Sequence, residues 1–281
     1  MSTTSSGASS DLEALIAFCA AHPVPDVDSE RFLRHLCSSS EAVIDLRHRG
    51  VVAAILDRAP AASGAVAFDL LGCRSGAIDA TTAETVLTCA LEAGGRLGVK
   101  GLELMLGSHW VPHRAAIERL GFVLSYRDLD MRCEHLDWGA DTPLPGGLAW
   151  SDLGGAWIDP YLEMQRAAFA ALPGVYFPDP AEQRRVLIAG ASRVRKLSDG
   201  KRILAGLRYA PETAFLHSIV RNPALKGQGF GRLVLDEARR ELPGRALILN
   251  VVSSNRVAVD LYHRHGFEIL REHDVLAKAL R

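Results

Sequence analysis

Cysteine is scarce in this sequence, and the few that occur do not form a framework. Five are present among 281 residues, all in the first half of the chain, and no CxxC pair occurs. An odd number without paired spacing is not typical of a disulfide scaffold or of a zinc site. We therefore predict a protein of a reducing, cytoplasmic compartment that binds no metal.

An excess of one charge and long apolar runs are also lacking. Lys and Arg number 32 and Asp and Glu number 33, with no basic tract, so no long-range field attracts nucleic acid or an anionic membrane. No apolar run approaches the ~18 residues that span a bilayer, and "MSTTSSGASS" has neither the basic nor the apolar region of a signal peptide. We expect no nucleic-acid or membrane partner, and a disordered tail over residues 1–10.

Apolar residues are plentiful: they make up 48% of the sequence, and the length of 281 residues suits about two domains. Short strand-like runs such as "VVAAIL" alternate with helical patterns, one of them preceded by the capping-box spacing of Thr81 and Glu84. "DWGADTPLPGGLAW" is rich in Gly, Pro and Asp and is typical of a linker. We predict an α/β protein with a first domain over residues 11–137, a linker over 138–148 and a second domain over 149–281.

The order of elements in the first half recurs in the second half. The hairpin glycines Gly50 and Gly200 correspond, as do the Gly-Phe pairs that begin at Gly121 and Gly266. Between these points the first half is shorter, at the connection "GCRSGAIDA", where the second half has "VRNPALKGQGFG". We interpret this as a tandem duplication. The alternative is chance similarity of two α/β patterns.

The connection "KGQGFG" joins a predicted strand directly to a predicted helix. The first amides of a helix lack internal partners and carry partial positive charge, and glycines let a ligand approach the backbone. Such a place suits a phosphate group, with Lys226 and Arg232 as added cations. The glycine spacing fits neither a Walker A loop nor a Rossmann motif. The alternative is a glycine-rich connection that binds nothing.

The pattern Lys226-x-x-Gly229-x-Gly231 resembles the [QR]-x-x-G-x-[GA] acyl-CoA loop of the GNAT superfamily of N-acetyltransferases, with Lys226 in place of Gln or Arg. "FLHSIV" before it and "LILNVVSSNRVAVDLYHRHGF" after it resemble the family's next strands and helix. The motifs cover the chain from Thr213 onward, and the rest of the second half matches by element order. The resemblance implies two tandem GNAT-like domains, each a mixed, mostly antiparallel central sheet flanked by helices.

The resemblance also implies acetyl-CoA as co-substrate and places its binding residues. The main chain of the strand before the loop takes the pantetheine arm, the loop takes the pyrophosphate, and Asn255 touches the pantetheine, with a helix N-cap as the structural alternative for Asn255. The implied cofactor-binding residues are His217, Ser218, Ile219, Val220, Lys226, Gly227, Gln228, Gly229, Phe230, Gly231, Arg232 and Asn255.

Two side chains are candidates for catalysis. Tyr262 stands where the family often has a general acid, and a phenol can give a proton or hydrogen bond to the leaving thiolate. The alternative is a packing role. His217 is the candidate general base for the attacking amine, with Glu212 or a water relay as alternatives. A backbone N–H near Ile219 could stabilise the oxyanion.

The acceptor is expected beside "AFAALPGVYFPDPAEQ", which joins the first two helices of the second half. Phe169, Tyr176 and Phe177 are the predicted substrate-binding residues, and Asp179 or Glu182 could attract a cationic amine. The alternative is a packed surface loop.

We predict an acyl-CoA-dependent N-acyltransferase, a monomer or homodimer, that transfers acetyl to a primary amine of a small molecule by direct attack in a ternary complex. Its catalytic copy is the second half, because Trp110 and Ile117 stand in the first half at the positions of Asn255 and Tyr262. The alternatives are a non-catalytic acyl-CoA-binding sensor or scaffold, and an acyltransferase for a protein N-terminus or lysine.

Overall fold

The structure is a computed structural model that describes residues 8–24, 33, 43–55, 65–74, 78–134, 143–175, 177, 180–190 and 192–280. The chain divides into two compact units. The first unit comprises residues 1–125 and 273–281, and the second comprises residues 126–272. Within the described ranges, no helix has both the length and the apolarity to cross a bilayer.

The sheet of the first unit has the strand order β1-β2-β3-β4-β11. All its neighbours are antiparallel except β3 and β4, which are parallel. The elements of this unit are α1 (Ala8–Ala21), β1 (Val43–Leu46), β2 (Val51–Ile55), β3 (Ala65–Cys73), α2 (Ala80–Arg96), β4 (Gly101–Met105), α3 (Arg114–Arg119) and most of β11 (Glu268–Ala279).

The sheet of the second unit has the order β6-β7-β8-β9-β10-β5, and only β9 and β10 are parallel. In both sheets, antiparallel strand pairs are followed by one parallel pair and then by a last antiparallel pair. Mixed, mostly antiparallel sheets of this kind confirm the predicted fold class. The elements are β5 (Val123–Cys133), β6 (Ala149–Asp152), α4 (Ile158–Phe169), α5 (Pro180–Ile188), β7 (Arg193–Ser198), β8 (Ile203–Ala210), β9 (Phe215–Arg221), α6 (Phe230–Glu241), β10 (Leu247–Val252) and α7 (Arg256–Arg264).

The strand that closes each sheet comes from the opposite half of the sequence. Residues 128–133 of β5 pair with residues 247–252 of β10, and residues 275–279 of β11 pair with residues 101–105 of β4. The compact units therefore differ from the predicted boundaries, which placed β5 in the first domain and all of β11 in the second. Local periodicity identifies a strand but not its partner, so those boundaries follow only the order of elements along the chain.

The ends of two helices also differ from the prediction. α1 begins at Ala8, so residues 8–10, which were predicted as tail, are helical, while residues 1–7 lie outside the described part. α2 begins at Ala80, and its N-cap is Asp79, whose carboxylate accepts from the Thr82 amide at 2.7 Å. Thr81 is already inside the helix, so the capping-box prediction is wrong. Asp79 caps the helix instead, so α2 begins two residues earlier than the capping-box spacing predicted.

Each face of the second sheet is covered by a helix. On one face, α6 buries Leu233, Val234 and Leu235 in a cluster that includes Leu207 and Leu249. On the other face, Tyr161 of α4 is fully buried. Gly206 of β8 permits this approach, because a Cβ at that position would lie 2.6 Å from the Tyr161 ring. The two helices thus pack against opposite faces of the sheet at β8 and β9. The candidate site begins where β9 separates from β10.

Candidate active site

β9 and β10 separate soon after they begin to pair. Their register contains only Phe215 with Ile248 and Leu216 with Leu249, although β9 runs on to Arg221. From residue 217 onward, no strand within the described residues pairs with β9 on the side that faces β10. A strand edge of this kind offers backbone donors and acceptors to an extended ligand.

A β-bulge lies at the point of separation. Arg208 of β8 pairs with Ser218 and Tyr209 pairs with Leu216, which leaves His217 as the extra residue on β9. A bulge redirects side chains and bends its strand. Leu216 accordingly belongs to the core on the α6 face, whereas Val220 belongs to the core on the α4 face. The bulge therefore lies where β9 separates from β10, and it directs the His217 side chain out of the regular strand pattern.

A cavity of about 430 Å³ lies over this separation, which is a volume that suits a small ligand. Four strands, helices α4, α5 and α7, and the connection between α4 and α5 form its wall. Its lining residues are Asp128, Leu162, Gln165, Phe169, Leu172, Gly174, Val175, Phe177, Gln183, Val186, Leu187, Arg208, Leu216, His217, Ser218, Ile219, Leu249, Asn250, Val251, Val252, Asn255, Ala258 and Tyr262.

The cavity brings together many of the residues that the sequence predicted, but not all of them. Those that line it are His217, Ser218, Ile219, Asn255, Tyr262, Phe169 and Phe177. Val220 does not; its side chain is buried in the α4-side core. Residues 226–232 also lie outside the lining. Tyr176 and Asp179 fall outside the described residues, as does the side chain of Glu182.

Tyr262 reaches the cavity from α7 with a largely buried ring. Its side chain is 7% exposed, and its ring centroid lies 5.5 Å from that of Phe267. Burial raises the pKa of the phenol above its ordinary value. The hydroxyl forms no hydrogen bond with any residue in the described part of the chain. Tyr262 thus presents a neutral phenol whose proton is available to a bound group.

His217 is exposed to the cavity, and its ring lies edge-on to Phe215 with centroids 5.0 Å apart. Partial burial lowers the pKa of the imidazole, and the positive charge of Arg208 lowers it further. Both effects disfavour the protonated ring. His217 is therefore neutral at neutral pH and can accept a proton.

The glycine loop leaves the start of α6 open. Gly227 and Gly229 have φ values of 82° and 79°, in the left-handed region that favours glycine, and a Cβ at either would meet only open space. Gly229 is the N-cap and supplies no side chain to the helix. Among the described residues, the amides of Gly229, Phe230 and Gly231 have no acceptor. This exposed, partially positive helix start can hold an anion.

The two cations beside the loop differ in their partners. Lys226 is exposed and has no acidic partner in the part of the chain described. Arg232 lies 3.9 Å from Asp236 one turn along α6, so part of its charge is already balanced. Lys226 is therefore the cation with the greater effect on an anion at this helix start.

The third glycine of the loop has a packing role. A Cβ on Gly231 would lie 2.7 Å from the Leu261 side chain of α7. Glycine at this position lets α6 and α7 approach closely, next to Tyr262. The pattern Gly229-x-Gly231 thus combines an open anion site with a close contact between two helices.

Asn255 has the structural role that the sequence left as an alternative, and it also lines the cavity. It is the N-cap of α7, and its side-chain oxygen accepts from the Ala258 amide at 3.4 Å. The length of this bond makes it weak.

Sequence reasoning missed the charged and amide side chains of the cavity wall. Arg208 donates from Nε to Ser192 Oγ at 2.8 Å, and Asn250 donates to Asp130. The one signal for Arg208 was a charged residue within the apolar run "RILAGLRY". The residues missed in this way are Asp128, Gln165, Gln183, Arg208 and Asn250. In the described ranges, no group of three or more His, Cys, Asp or Glu could hold a metal ion.

Comparison with known proteins gives one family and several similar structures. Residues 147–267 match the family model for the acetyltransferase (GNAT) family. A GCN5-related N-acetyltransferase from Sphaerobacter thermophilus is 16% identical, with 95% of this chain and 91% of that chain covered and a TM-score of 0.62. No curated protein matches the sequence.

Two further solved structures are similar over most of this chain. A tandem GNAT protein from the clavulanic acid biosynthesis pathway is 15% identical over 82% of this chain and 78% of its own, with a TM-score of 0.59. A GNAT-family acetyltransferase from Colwellia psychrerythraea is 15% identical over 99% of both chains, with a TM-score of 0.57. These matches and the family model confirm the predicted superfamily and enzyme type. Residues 147–267 therefore form a domain of the acetyltransferase (GNAT) family.

Proposed function

We propose that the second unit transfers an acetyl group from acetyl-CoA to the primary amine of a small molecule, by direct attack while both substrates are bound. The observation that carries this proposal is the separation of β9 from β10 into a cavity of about 430 Å³ that Tyr262 and His217 both line. A cavity of this size favours a small acceptor over a folded protein surface.

The residues present fit acetyl-CoA. The free amides of Gly229, Phe230 and Gly231, with Lys226 nearby, match a pyrophosphate. The unpaired edge of β9 from His217 onward matches a chain that carries amide groups. Acetyl-CoA supplies the acetyl group as an activated thioester.

Tyr262 acts in this proposal as a hydrogen-bond donor to the leaving sulfur. A thiol has a reference pKa near ~8.5, well below that of a buried phenol. Because burial raises the pKa of Tyr262, complete proton transfer to a thiolate is uphill, and the phenol keeps its proton at neutral pH. A neutral donor in a water-poor site still stabilises negative charge that develops on sulfur.

His217 acts as the proton acceptor for the amine, directly or through one water. Its lowered pKa keeps the imidazole neutral, and its place at the bulge directs it into the cavity. The backbone N–H near Ile219, on the unpaired edge, is the proposed donor to the carbonyl oxygen.

The first unit is proposed not to bind acetyl-CoA. Where α6 begins with a bare glycine, α2 begins with Asp79, whose carboxylate occupies the Thr82 amide and would repel an anion. The parallel strands of the first sheet, β3 and β4, also separate, after three paired residues. Beside the point where they separate, the buried Trp110 side chain donates to Asp69 at 2.8 Å and packs 5.9 Å from Phe68.

Acetyl-CoA turnover against a panel of small amines, a lysine peptide and a peptide with a free N-terminus tests the proposal. Release of free thiol and the mass of the acetylated product are measured together. We expect turnover on small amines. In Tyr262→Phe we expect kcat to fall about a hundredfold or more, with the KM for acetyl-CoA unchanged.

The other outcomes identify the alternatives. CoA binding without turnover on any acceptor would establish the sensor or scaffold function. Turnover confined to the peptides would establish a protein acyltransferase. Undiminished kcat in Tyr262→Phe would remove Tyr262 from the mechanism.

A further inference from the structure

The cavity wall carries opposite charges on its two sides. Arg208 and Asp128 are the only formally charged side chains in the lining, counted over the described residues. Arg208 lies on β8, next to β9, and Asp128 lies on β5, next to β10. Because the order is β8-β9-β10-β5, the two charges lie on opposite sides of the separated strands where transfer is proposed.

The guanidinium of Arg208 is held in place at this wall. Ser192 Oγ accepts from its Nε at 2.8 Å, which fixes the plane of the group, and the residue is partly buried. Its charge is also close enough to His217 to shift the titration of that ring. A fixed, planar guanidinium is well suited to bind a carboxylate through two parallel hydrogen bonds.

The spacing of the strands limits how far an anionic group can lie from the reacting amine. Neighbouring strands are about 4.8 Å apart, so β8, which carries Arg208, lies one such step from β9, and Arg208 is among the residues that line the cavity. An amine at the separation of β9 and β10 is therefore close enough to Arg208 for one short molecule to reach both positions. Amide and aliphatic side chains line the same cavity, at Gln165, Gln183 and Leu162.

We propose that the acceptor is an amine that also carries a carboxylate, and that Arg208 binds this carboxylate while the amine lies beside His217 and Tyr262. Asp128, on the opposite side, favours approach of the amine as its ammonium form. This inference rests on the proposed acetyl transfer and adds the chemical class of the acceptor to it.

Paired acceptors test this inference in the full-length protein. The panel consists of unbranched ω-amino acids of increasing chain length, each with its ω-amino carboxamide, which keeps the amine and removes the negative charge. With wild-type protein we expect a lower KM for the acids, by roughly 10- to 100-fold at the best chain length, as for a hydrogen bond to a charged group.

Three variants assign the preference to Arg208. Arg208→Gln should raise the KM for the acids by that factor and leave the KM for the carboxamides and for acetyl-CoA nearly unchanged. Arg208→Lys should restore part of the preference, because it keeps the charge without the planar fork. Arg202→Gln is the matched control, since Arg202 is an exposed arginine of the β7–β8 hairpin that pairs with Asp199, and it should leave the preference unchanged.

Each contrary result overturns the inference. Equal KM values for acids and carboxamides in the wild type would show that no carboxylate is recognised. An increase in Arg208→Gln that is equal for both acceptor types, or that affects acetyl-CoA, would show that Arg208 acts on the fold or on the other substrate. If none of the amines is acetylated, the proposed acetyl transfer is wrong, and this inference is wrong with it.

Discussion

A carboxylate placed at Gly229 should give the start of α6 the negative charge that Asp79 gives the start of α2. Gly229 is an N-cap with a φ of 79° and open space around its Cβ position, and α2 carries Asp79 as its own N-cap. Gly229→Asp introduces the charge, and Gly229→Asn is the neutral control of the same shape. Both side chains tolerate the left-handed region better than other non-glycine residues, so the backbone cost is shared by the pair.

The size of the effect follows from Coulomb's law. Two unit charges about 5 Å apart interact by roughly 1 to 3 kcal/mol for effective dielectric constants between about 80 and 20. The loop is exposed, so the lower part of this range applies to each of the two charges of a pyrophosphate. The total penalty is about 2 kcal/mol, which corresponds to a roughly thirtyfold higher KM for acetyl-CoA in Gly229→Asp than in Gly229→Asn.

Steady-state kinetics at two salt concentrations measure this difference. We expect the ratio of the two KM values to shrink when the ionic strength is raised to about 1 M, because the Debye length then falls to about 3 Å. The melting temperatures of the two variants should agree closely. Equal KM values for acetyl-CoA in Gly229→Asp and Gly229→Asn would refute the assignment of α6 as the pyrophosphate site.

Three further predictions concern the base and the fold. Because burial and the Arg208 charge lower the pKa of His217, the acid limb of kcat/KM should lie below about pH 6.5, and it should be lost in His217→Gln; a limb above that pH would contradict His217 as the base. Met131 of β5 is fully buried, so Met131→Ala should cost about 2 to 5 kcal/mol in urea unfolding, against under about 0.5 kcal/mol for the exposed Val123→Ala. A fragment over residues 143–281 lacks β5 and should not unfold cooperatively, whereas residues 126–281 should; cooperative unfolding of the shorter fragment would contradict the role of β5.

The sequence predicted local features of the site better than features that depend on long-range pairing. The glycine loop, Tyr262 and His217 could be proposed from the sequence because each lies in a short motif along one stretch of chain. Arg208 and Asp128 were missed because they meet at the cavity only through the pairing order of the sheet. No period along the chain encodes that order.

The same reason explains the differences in the fold. The run "VVAAIL" was predicted as a strand from its apolar residues, and the structure places β2 there. The exchange of β5 and β11 between the two sheets was not predictable, because no local pattern in a strand identifies the strand with which it pairs. At α2, both Asp79 and Thr81 are residues that can cap a helix. The sequence does not show at which of them the helix begins, and in the structure Asp79 is the N-cap.

The central claim is that acetyl-CoA binds one of the two units and not the other. Calorimetric titration of the full-length chain with CoA tests it most directly. The account predicts a stoichiometry of one CoA per chain, with weaker binding in Gly229→Asp than in Gly229→Asn. Two CoA molecules per chain, or binding that the charge at residue 229 leaves unchanged, would contradict it.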